Sequence, residues 1–241
     1  MSGHSKWNNI KQKKGKQDAL RGKIFTKLGR ELSVAVKHGG PNPDTNSKLK
    51  FAITKAKANN MPNSNIENAI KKASGEGNDN VFYEMVYEGY GKGGVAIIAT
   101  ALTDNKNRTA GEVRHIFSKH NGNLGEPGSV SYMFNKKGVI VIEKENLSFS
   151  EDELMMEVLE AGAEDFKVYD EVYEILTLPE NFEVVNAKVE ELGINPIEAS
   201  IQMIPNITIQ SDEKLEESIG KLVDALEDLD DIQDVYTNLD N

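Results

Sequence analysis

From residue 20 onward the apolar positions recur with helical spacing. Leu20, Ile24, Leu28 and Leu32 lie four apart, with Phe25, Ala35 and Val36 on the flank. His38-Gly39-Gly40 and Pro41 end that helix, glycine supplying a left-handed position past its last turn. After the loop Asn42-Pro43-Asp44, Asp44 or Asn46 is placed to cap a second helix that buries Leu49, Ala52, Ile53 and Ala56. Asn59-Asn60 and Pro62 close it. Ser64 and Glu67 match a capping box for a third helix, which buries Ile66, Ala69, Ile70 and Ala73 and stops at Gly75. The first ~15 residues have no period, and Ile10 is their only aliphatic core candidate. They read as an arm, extended or weakly helical, that orders on its target. Residues 1–75 are thus an arm plus a small helical bundle, and Gly75-Glu76-Gly77-Asn78-Asp79 is a linker by composition.

Beyond the linker the period changes. Strands are expected over 81–88, 95–102 and 130–134, with a helix over 107–119. Residues 137–204 then read as a complete unit: strand 139–143, helix 150–161, strands 165–169 and 172–178, helix 180–192, strand 197–204. That is the ferredoxin-like order. A helix over 212–229 and a strand over 232–237 follow, too few to stand alone. They are expected to return to the sheet begun by 81–134. The fold class is therefore α+β and multi-domain, with three parts. An N-terminal helical bundle (1–75) is followed by a discontinuous α+β domain (80–134 plus 206–241), into which a βαββαβ domain (137–204) is inserted.

Charge sharpens this division. The net charge is −11, yet residues 1–75 hold 16 Lys/Arg against 4 Asp/Glu, leaving 12 basic and 35 acidic residues for the rest. A basic module on an acidic body turns its N-terminal end toward a polyanion. Lysines and arginines are densest from Lys6 to Arg30, where Asp18 is the only acid and Trp7 is the chain's only tryptophan. Cations interleaved with an aromatic and with Asn and Gln are a nucleic-acid footprint. The candidate contacts are His4, Lys6, Trp7, Lys11, Lys13, Lys14, Lys16, Arg21 and Lys23, with His4 placed to stack on a base or bind a phosphate. Arg108 and Arg114 either extend the contact or form salt bridges inside the acidic body.

Other chemistries find little support. There is no cysteine, which removes disulfides, thiolate zinc sites and cysteine nucleophiles and fits a reducing compartment. The N-terminus lacks the apolar stretch of a secretory signal, and the longest apolar run, 95–102, is far too short to span a bilayer. A soluble cytoplasmic protein is expected. The glycine-rich run 89–94 is followed by a strand rather than a helix N-terminus, so it reads as a hairpin loop and not a phosphate cradle. His115 and His120 fall on different faces of one helix, and His38 sits in a last helical turn. The acidic cluster 151–153 suits a helix start, and the run 227–234 lacks the glycine and spacing of a calcium loop. No catalytic set is visible. The expectation is a monomeric non-enzyme with no metal, cofactor or small-molecule substrate and no membrane partner.

Several long motifs occur in order: GHSKW with a following IK, GGPNPDTNSKLKFAITKAKANNMP, NIENAIKKASGE, YEGYGKGGVAIIATALTDNKNRTAGEVRH and NGNLGEPGSVSYMF. Together they resemble the YebC family, whose mitochondrial relatives are translational activators. The resemblance implies an N-terminal helical domain followed by two α+β domains. It carries two functional implications. Many members bear the label of DNA-binding transcriptional regulator. The mitochondrial relatives and some bacterial members are linked to the ribosome and to relief of stalling on proline-rich nascent chains, the N-terminal domain reaching ribosomal RNA near the peptidyl-transferase centre. Gly3, His4, Ser5, Lys6, Trp7, Ile10 and Lys11 match the family's N-terminal motif. Gln12 stands where relatives often carry histidine, and Tyr132 where tryptophan is frequent. A lysine-rich arm with one aromatic suits DNA and RNA alike. With no evident recognition helix, the physical reading leans to structured RNA and a ribosome-associated translation factor. A DNA-binding transcriptional regulator is the alternative, and an enzyme with its site in a cleft between the α+β domains is a third.

Overall fold

The computed structural model describes residues 22–75, 81–145 and 147–240. It is α+β with several domains, and its chain divides into two compact units, one holding Met133–Thr208 and the other holding described residues up to Tyr132 together with Ile209–Leu239.

The second of these units begins with helix α1, described over 22–39, followed by α2 (Ser47–Ala58) and α3 (Asn63–Ser74). Gly40, at φ +85°, ends α1, and its N–H returns to the Val36 carbonyl at 2.7 Å. Asn46 caps α2: its Oδ1 accepts from the Leu49 N–H (3.1 Å), while its Nδ2 donates to the Ala35 and Gly40 carbonyls, both at 2.8 Å. One buried amide thus ties the end of α1 to the start of α2. Leu28, Leu32, Leu49, Ala52, Ala56 and Ile66 form the core between the three helices. The capping box expected at Ser64 and Glu67 does not form. Helix α3 starts at Asn63, two residues earlier than that box would place it, behind Pro62 and with no side-chain cap. Proline's fixed φ and missing N–H already suit that end.

Strands β1 (Tyr83–Tyr90) and β2 (Ala96–Thr103) form an antiparallel hairpin. The glycine-rich run is its connection: Gly93 and Gly94 take φ of +72° and +78°, and the Gly91 N–H bonds the Val95 carbonyl at 2.8 Å. Helix α4 (Lys106–Lys119) leads to the short β3 (Asn123–Leu124). Near the chain's end come β8 (Ile209–Gln210), α7 (Glu213–Glu227), β9 (Ile232–Thr237) and β10 (Leu239–Asp240), numbered after the strands of the other unit. The sheet order is β3-β1-β2-β9, so the last long strand pairs with β2, and β8 pairs with β10. Phe117 of α4 and Ile219, Leu222 and Leu226 of α7 pack on Ile97, Ala99 and Ile232.

A strand expected at 130–134 is absent from this sheet. Residues Ser131–Met133 form a 3-10 turn, and strand β4 (Phe134–Glu143) begins the other unit. The reason is Glu88: its carboxylate takes the N–H groups of Gly128, Val130 and Ser131, which are therefore unavailable to a ladder.

The unit holding β4 continues with α5 (Glu151–Glu160), β5 (Asp165–Val168), β6 (Val172–Thr177), α6 (Phe182–Glu191) and β7 (Glu198–Pro205). Its sheet is antiparallel in the order β5-β6-β4-β7. Helix α5 opens on a reciprocal capping box between Ser150 and Glu153. Each helix here joins two strands separated by one other strand, the arrangement of a ferredoxin-like sheet.

Candidate nucleic-acid interface

Two sets of cations stand out among the described residues of the helical part. The first lies along one stripe of α1, at positions 23, 27 and 30. Lys23 Nζ stands 3.0 Å from the Asp228 carboxylate, and Lys27 Nζ donates to the Glu227 carbonyl at 2.7 Å. Arg30 donates to the Asp230 carbonyl (2.7 Å) and to the Asp231 carboxylate (2.5 Å). These acceptors sit at the end of α7 and just beyond it. There the last carbonyls lack intrahelical partners and the helix dipole is negative, so cations are favoured.

Asp231 is the node of that contact. Its side chain is 5% exposed. One oxygen accepts from Arg30. The other lies 2.6 Å from Arg108 Nη2, 2.6 Å from the Thr109 hydroxyl and 3.1 Å from the Thr103 hydroxyl. Burial pushes the Asp231 carboxyl up, but hydrogen bonds from Arg108, Thr109 and Arg30 outweigh it and hold the group below the usual carboxylate range. Arg108 also pairs with Asp104 at 2.8 Å. Of the two roles open to Arg108, the structure gives it the salt bridge within the body.

The second set is not engaged in this way. Lys48, Lys50, Lys57 and Lys71 are exposed and have no ion-pair partner among the described residues, whereas Lys55 pairs with Glu31 at 3.1 Å. Asn63, Asn65 and Asn68 are exposed on the first two turns of α3. Such a surface offers point charges for phosphates and amides able to pair with base edges.

Of the residues singled out in the sequence, His4, Lys6, Trp7, Lys11, Lys13, Lys14, Lys16 and Arg21 lie outside the described residues. Lys23 is described, and it faces Asp228. Nothing in the sequence pattern singles out Lys48, Lys50, Lys57 and Lys71. The basic excess of residues 1–75 contained their signal, but only the fold shows which cations the body neutralises.

In the body, Glu88 is buried and its oxygens accept from the Gly128 (2.8 Å), Val130 (2.9 Å) and Ser131 (2.8 Å) amides. Burial pushes its carboxyl up, and these amides reverse the effect to leave it below the usual range. Among the described residues no group of three His, Cys, Asp or Glu side chains is placed to hold a metal ion. No described helix is long and apolar enough to cross a membrane.

Comparison with known proteins agrees along the whole chain. Residues 5–76 match the family described as "TACO1/YebC protein N-terminal domain", and residues 82–239 that described as "TACO1/YebC second and third domain". A protein of Acetivibrio thermocellus named "Probable transcriptional regulatory protein" is 57% identical over 239 residues, covering 99% of this chain and 98% of its own. A similarly named protein of Thermoanaerobacter pseudethanolicus is 55% identical over 240 residues, covering 100% of this chain and 97% of its own. The crystal structure of a conserved hypothetical protein from Aquifex aeolicus superposes with a TM-score of 0.83 at 48% identity, over 93% of this chain and 92% of that one.

Proposed function

The chain belongs to the TACO1/YebC family, and on that premise we propose that it is a non-enzymatic, nucleic-acid-binding regulator of gene expression whose basic N-terminal part contacts the polymer. The observation that carries this reading is the division of the helical part's cations. Those facing the acidic body are engaged there, while Lys48, Lys50, Lys57 and Lys71 remain exposed and without acid partners among the described residues. The arm residues His4, Lys6, Trp7, Lys11, Lys13, Lys14, Lys16 and Arg21 adjoin this helical part in sequence and extend its positive charge.

The names of the relatives point to transcription, and a DNA target has a structural argument too. Helices α2 and α3 are joined by the four residues 59–62, and α3 presents Asn63, Asn65 and Asn68 near its start. Amides at the start of a helix are suited to reading adenine edges in a major groove.

A second reading, structured RNA on the ribosome, is favoured by the kind of cation exposed. The four cations of the second set are all lysines, point charges that hold phosphates without the two-pronged base recognition of arginine. In this reading the protein is a translation factor that relieves stalling on proline-rich sequences.

The test uses the full-length protein with a labelled 20-bp duplex and a labelled RNA hairpin of similar charge. The double change Lys50→Ala and Lys57→Ala is expected to weaken binding. It should also lower the slope of log affinity against log salt by about 0.9 per lysine on the duplex. Unchanged affinity for both polymers contradicts the proposal. The tighter of the two at physiological salt identifies the target class.

A further inference from the structure

Both helices of the β4 unit lie on one face of its sheet. Helices α5 and α6 are neighbours, joined by the Lys188–Glu157 pair at 2.7 Å. Phe182 of α6 stands where Gly138 would carry a Cβ, so Gly138 and Thr177 opposite it face the helices. By alternation Ile140, Ile142 and Ile175 face them too. Val139, Val141, Val172 and Leu176 then belong to the second face. None of these four is more than 8% exposed, and they form one apolar cluster with Tyr169, Ile197 and Ile204 packed against it. Burial that complete on a sheet face requires a cover. The four strands and two helices of the unit do not supply one, because the strands are the sheet and the helices are on its other side.

Around this apolar patch the face is acidic. Glu198, opposite Val141, accepts from the Ser200 hydroxyl at 2.7 Å and from the Gln202 amide at 3.4 Å, which holds its carboxylate along β7. Asp165 stands opposite Leu176, and Glu143 opposite Val172. These three acids have no ion-pair partner among the described residues, whereas the lysines of the face are engaged: Lys137 pairs with Glu164, and Lys167 lies 3.8 Å from Glu174. Burial, followed by the Glu174 and Asp165 carboxylates, pushes the Tyr169 hydroxyl up to about 12. The margin of the patch is therefore both dry and negative.

This combination selects among occupants. The strand order is that of sheets that stack RNA bases, but those carry aromatics on the stacking face. Here the middle strands present valines, a leucine and the Glu174 carboxylate, and the acids at the rim repel phosphate. A second copy of the face would set acid against acid. What fits is a segment with a small apolar centre flanked by cations. Residues 1–11, outside the described residues, are such a segment: Trp7 and Ile10 lie between Lys6 and Lys11. Residues 12–21 lead from there into α1 and span up to about 35 Å when extended, so they do not tie the segment to the start of that helix.

We infer that residues 1–11 dock on the second face of the β4 sheet, Trp7 and Ile10 covering Val139, Val141, Val172 and Leu176 while the lysines meet the carboxylates at the rim. Docked there, Trp7 and its neighbouring lysines are withheld from nucleic acid, and the face and the polymer compete for the same residues. The docking is independent of the nucleic-acid reading above, and the competition rests on it. An arm that is docked nine-tenths of the time lowers the apparent affinity for the polymer about tenfold.

Trp7 is the chain's only tryptophan, so its fluorescence reports on the arm alone. In the full-length protein without nucleic acid, its emission should lie to the blue of that in urea, and it should be shielded from acrylamide at every protein concentration. A carbodiimide should couple Lys6 or Lys11 to Glu198, Asp165 or Glu143, as located by mass spectrometry. Val139→Thr with Val141→Thr keeps strand propensity and side-chain shape but places hydroxyls in the patch. Glu198→Gln removes a rim charge without touching the core. Both variants should reduce the shielding and the coupling, and the valine variant should bind an RNA hairpin about three- to tenfold tighter. Circular dichroism checks the fold, and Glu198→Gln decides if the valine variant unfolds. A saturating RNA hairpin should abolish the coupling in the unmodified protein. The inference is overturned if Trp7 of the unmodified protein is as open to acrylamide as in urea, or if folded variants leave its shielding unchanged. Shielding that disappears on dilution puts the arm of a second copy on the face and overturns docking within the chain. Coupling that persists under saturating hairpin overturns the competition. A protein with an open arm that binds the hairpin or a duplex overturns the docking alone. One with a shielded, coupled arm that binds neither polymer overturns the nucleic-acid reading and leaves the docking in place.

Discussion

Arg30 and Asp231 lie 201 positions apart in the chain and 2.5 Å apart in the fold. Their ion pair joins the first described helix to the turn between α7 and β9. It also explains a feature that looks contradictory in the sequence: a basic segment and a strongly acidic one in the same protein. Part of the opposite charge is internal. The acidic turn 227–231 holds one stripe of α1, and Lys48, Lys50, Lys57 and Lys71 are left for solvent or a ligand.

The first prediction concerns this node. Asp231 has a folded-state pKa below its unfolded value, so its contribution to stability is fully present above the unfolded value near pH 4. That contribution is lost as pH falls through the folded value. Asp231→Ala leaves Arg30 and Arg108 facing each other without their shared acid and should cost about 3–5 kcal/mol at pH 7. Urea melts at pH 7 and at pH 3 check this. The stability gap between variant and unmodified protein should narrow at the lower pH. A gap that stays constant would show that Asp231 is not acting through its charge.

A second prediction addresses the β4 unit. Gly138 lies in β4 opposite Thr177, and a Cβ there would meet the Thr177 hydroxyl and stand 2.6 Å from the Phe182 ring. Phe182 is itself buried at the start of α6. Gly138→Ala should therefore destabilise this unit by about 1–3 kcal/mol through overpacking. Thermal unfolding followed by circular dichroism should show a lowered transition. No shift would mean that α6 moves aside without cost.

The third prediction separates the two sets of cations. Lys23 is next to Asp228, so its charge is already partly neutralised, whereas Lys50 faces no acid among the described residues. Lys50→Ala should lower nucleic-acid affinity more than Lys23→Ala. The exposed Lys23–Asp228 pair should contribute no more than about 1 kcal/mol to stability. Titrations with a labelled duplex and an RNA hairpin decide this. An equal decrease for both variants would mean that the ligand displaces Asp228 and recruits Lys23.

Much of the architecture was legible because periodicity is a local signal. The stripe Leu28, Leu32, Ala35 and Val36 and the order of elements over 137–204 are written in residues close in sequence. What escaped depends on distant partners. The expected strand at 130–134 is replaced by a turn because a carboxylate some forty residues away takes its amides. The start of β4 was missed because Asn135, Lys136 and Lys137 look like a loop, yet they pair in register with Ile204, Met203 and Gln202 of β7. Among the site residues, Lys23 and Lys50 look alike in the sequence. Only the position of Asp228 tells them apart.

The central claim is that positive charge at the N-terminal end holds a nucleic acid, and salt dependence tests it most directly. The measurement is the affinity of the full-length protein for a labelled duplex and an RNA hairpin from low to physiological salt. The double change Lys13→Ala and Lys14→Ala is measured alongside, with Trp7→Ala as the comparison. For the unmodified protein, log affinity should fall steeply with log salt. The lysine change should lower both the affinity and the slope, by roughly 0.7 to 0.9 for each phosphate that is no longer neutralised. Trp7→Ala should weaken binding by about 1–3 kcal/mol while leaving the slope nearly unchanged, the mark of a missing stack rather than a missing charge. Affinity and slope that stay the same for both polymers after the double lysine change would contradict the account.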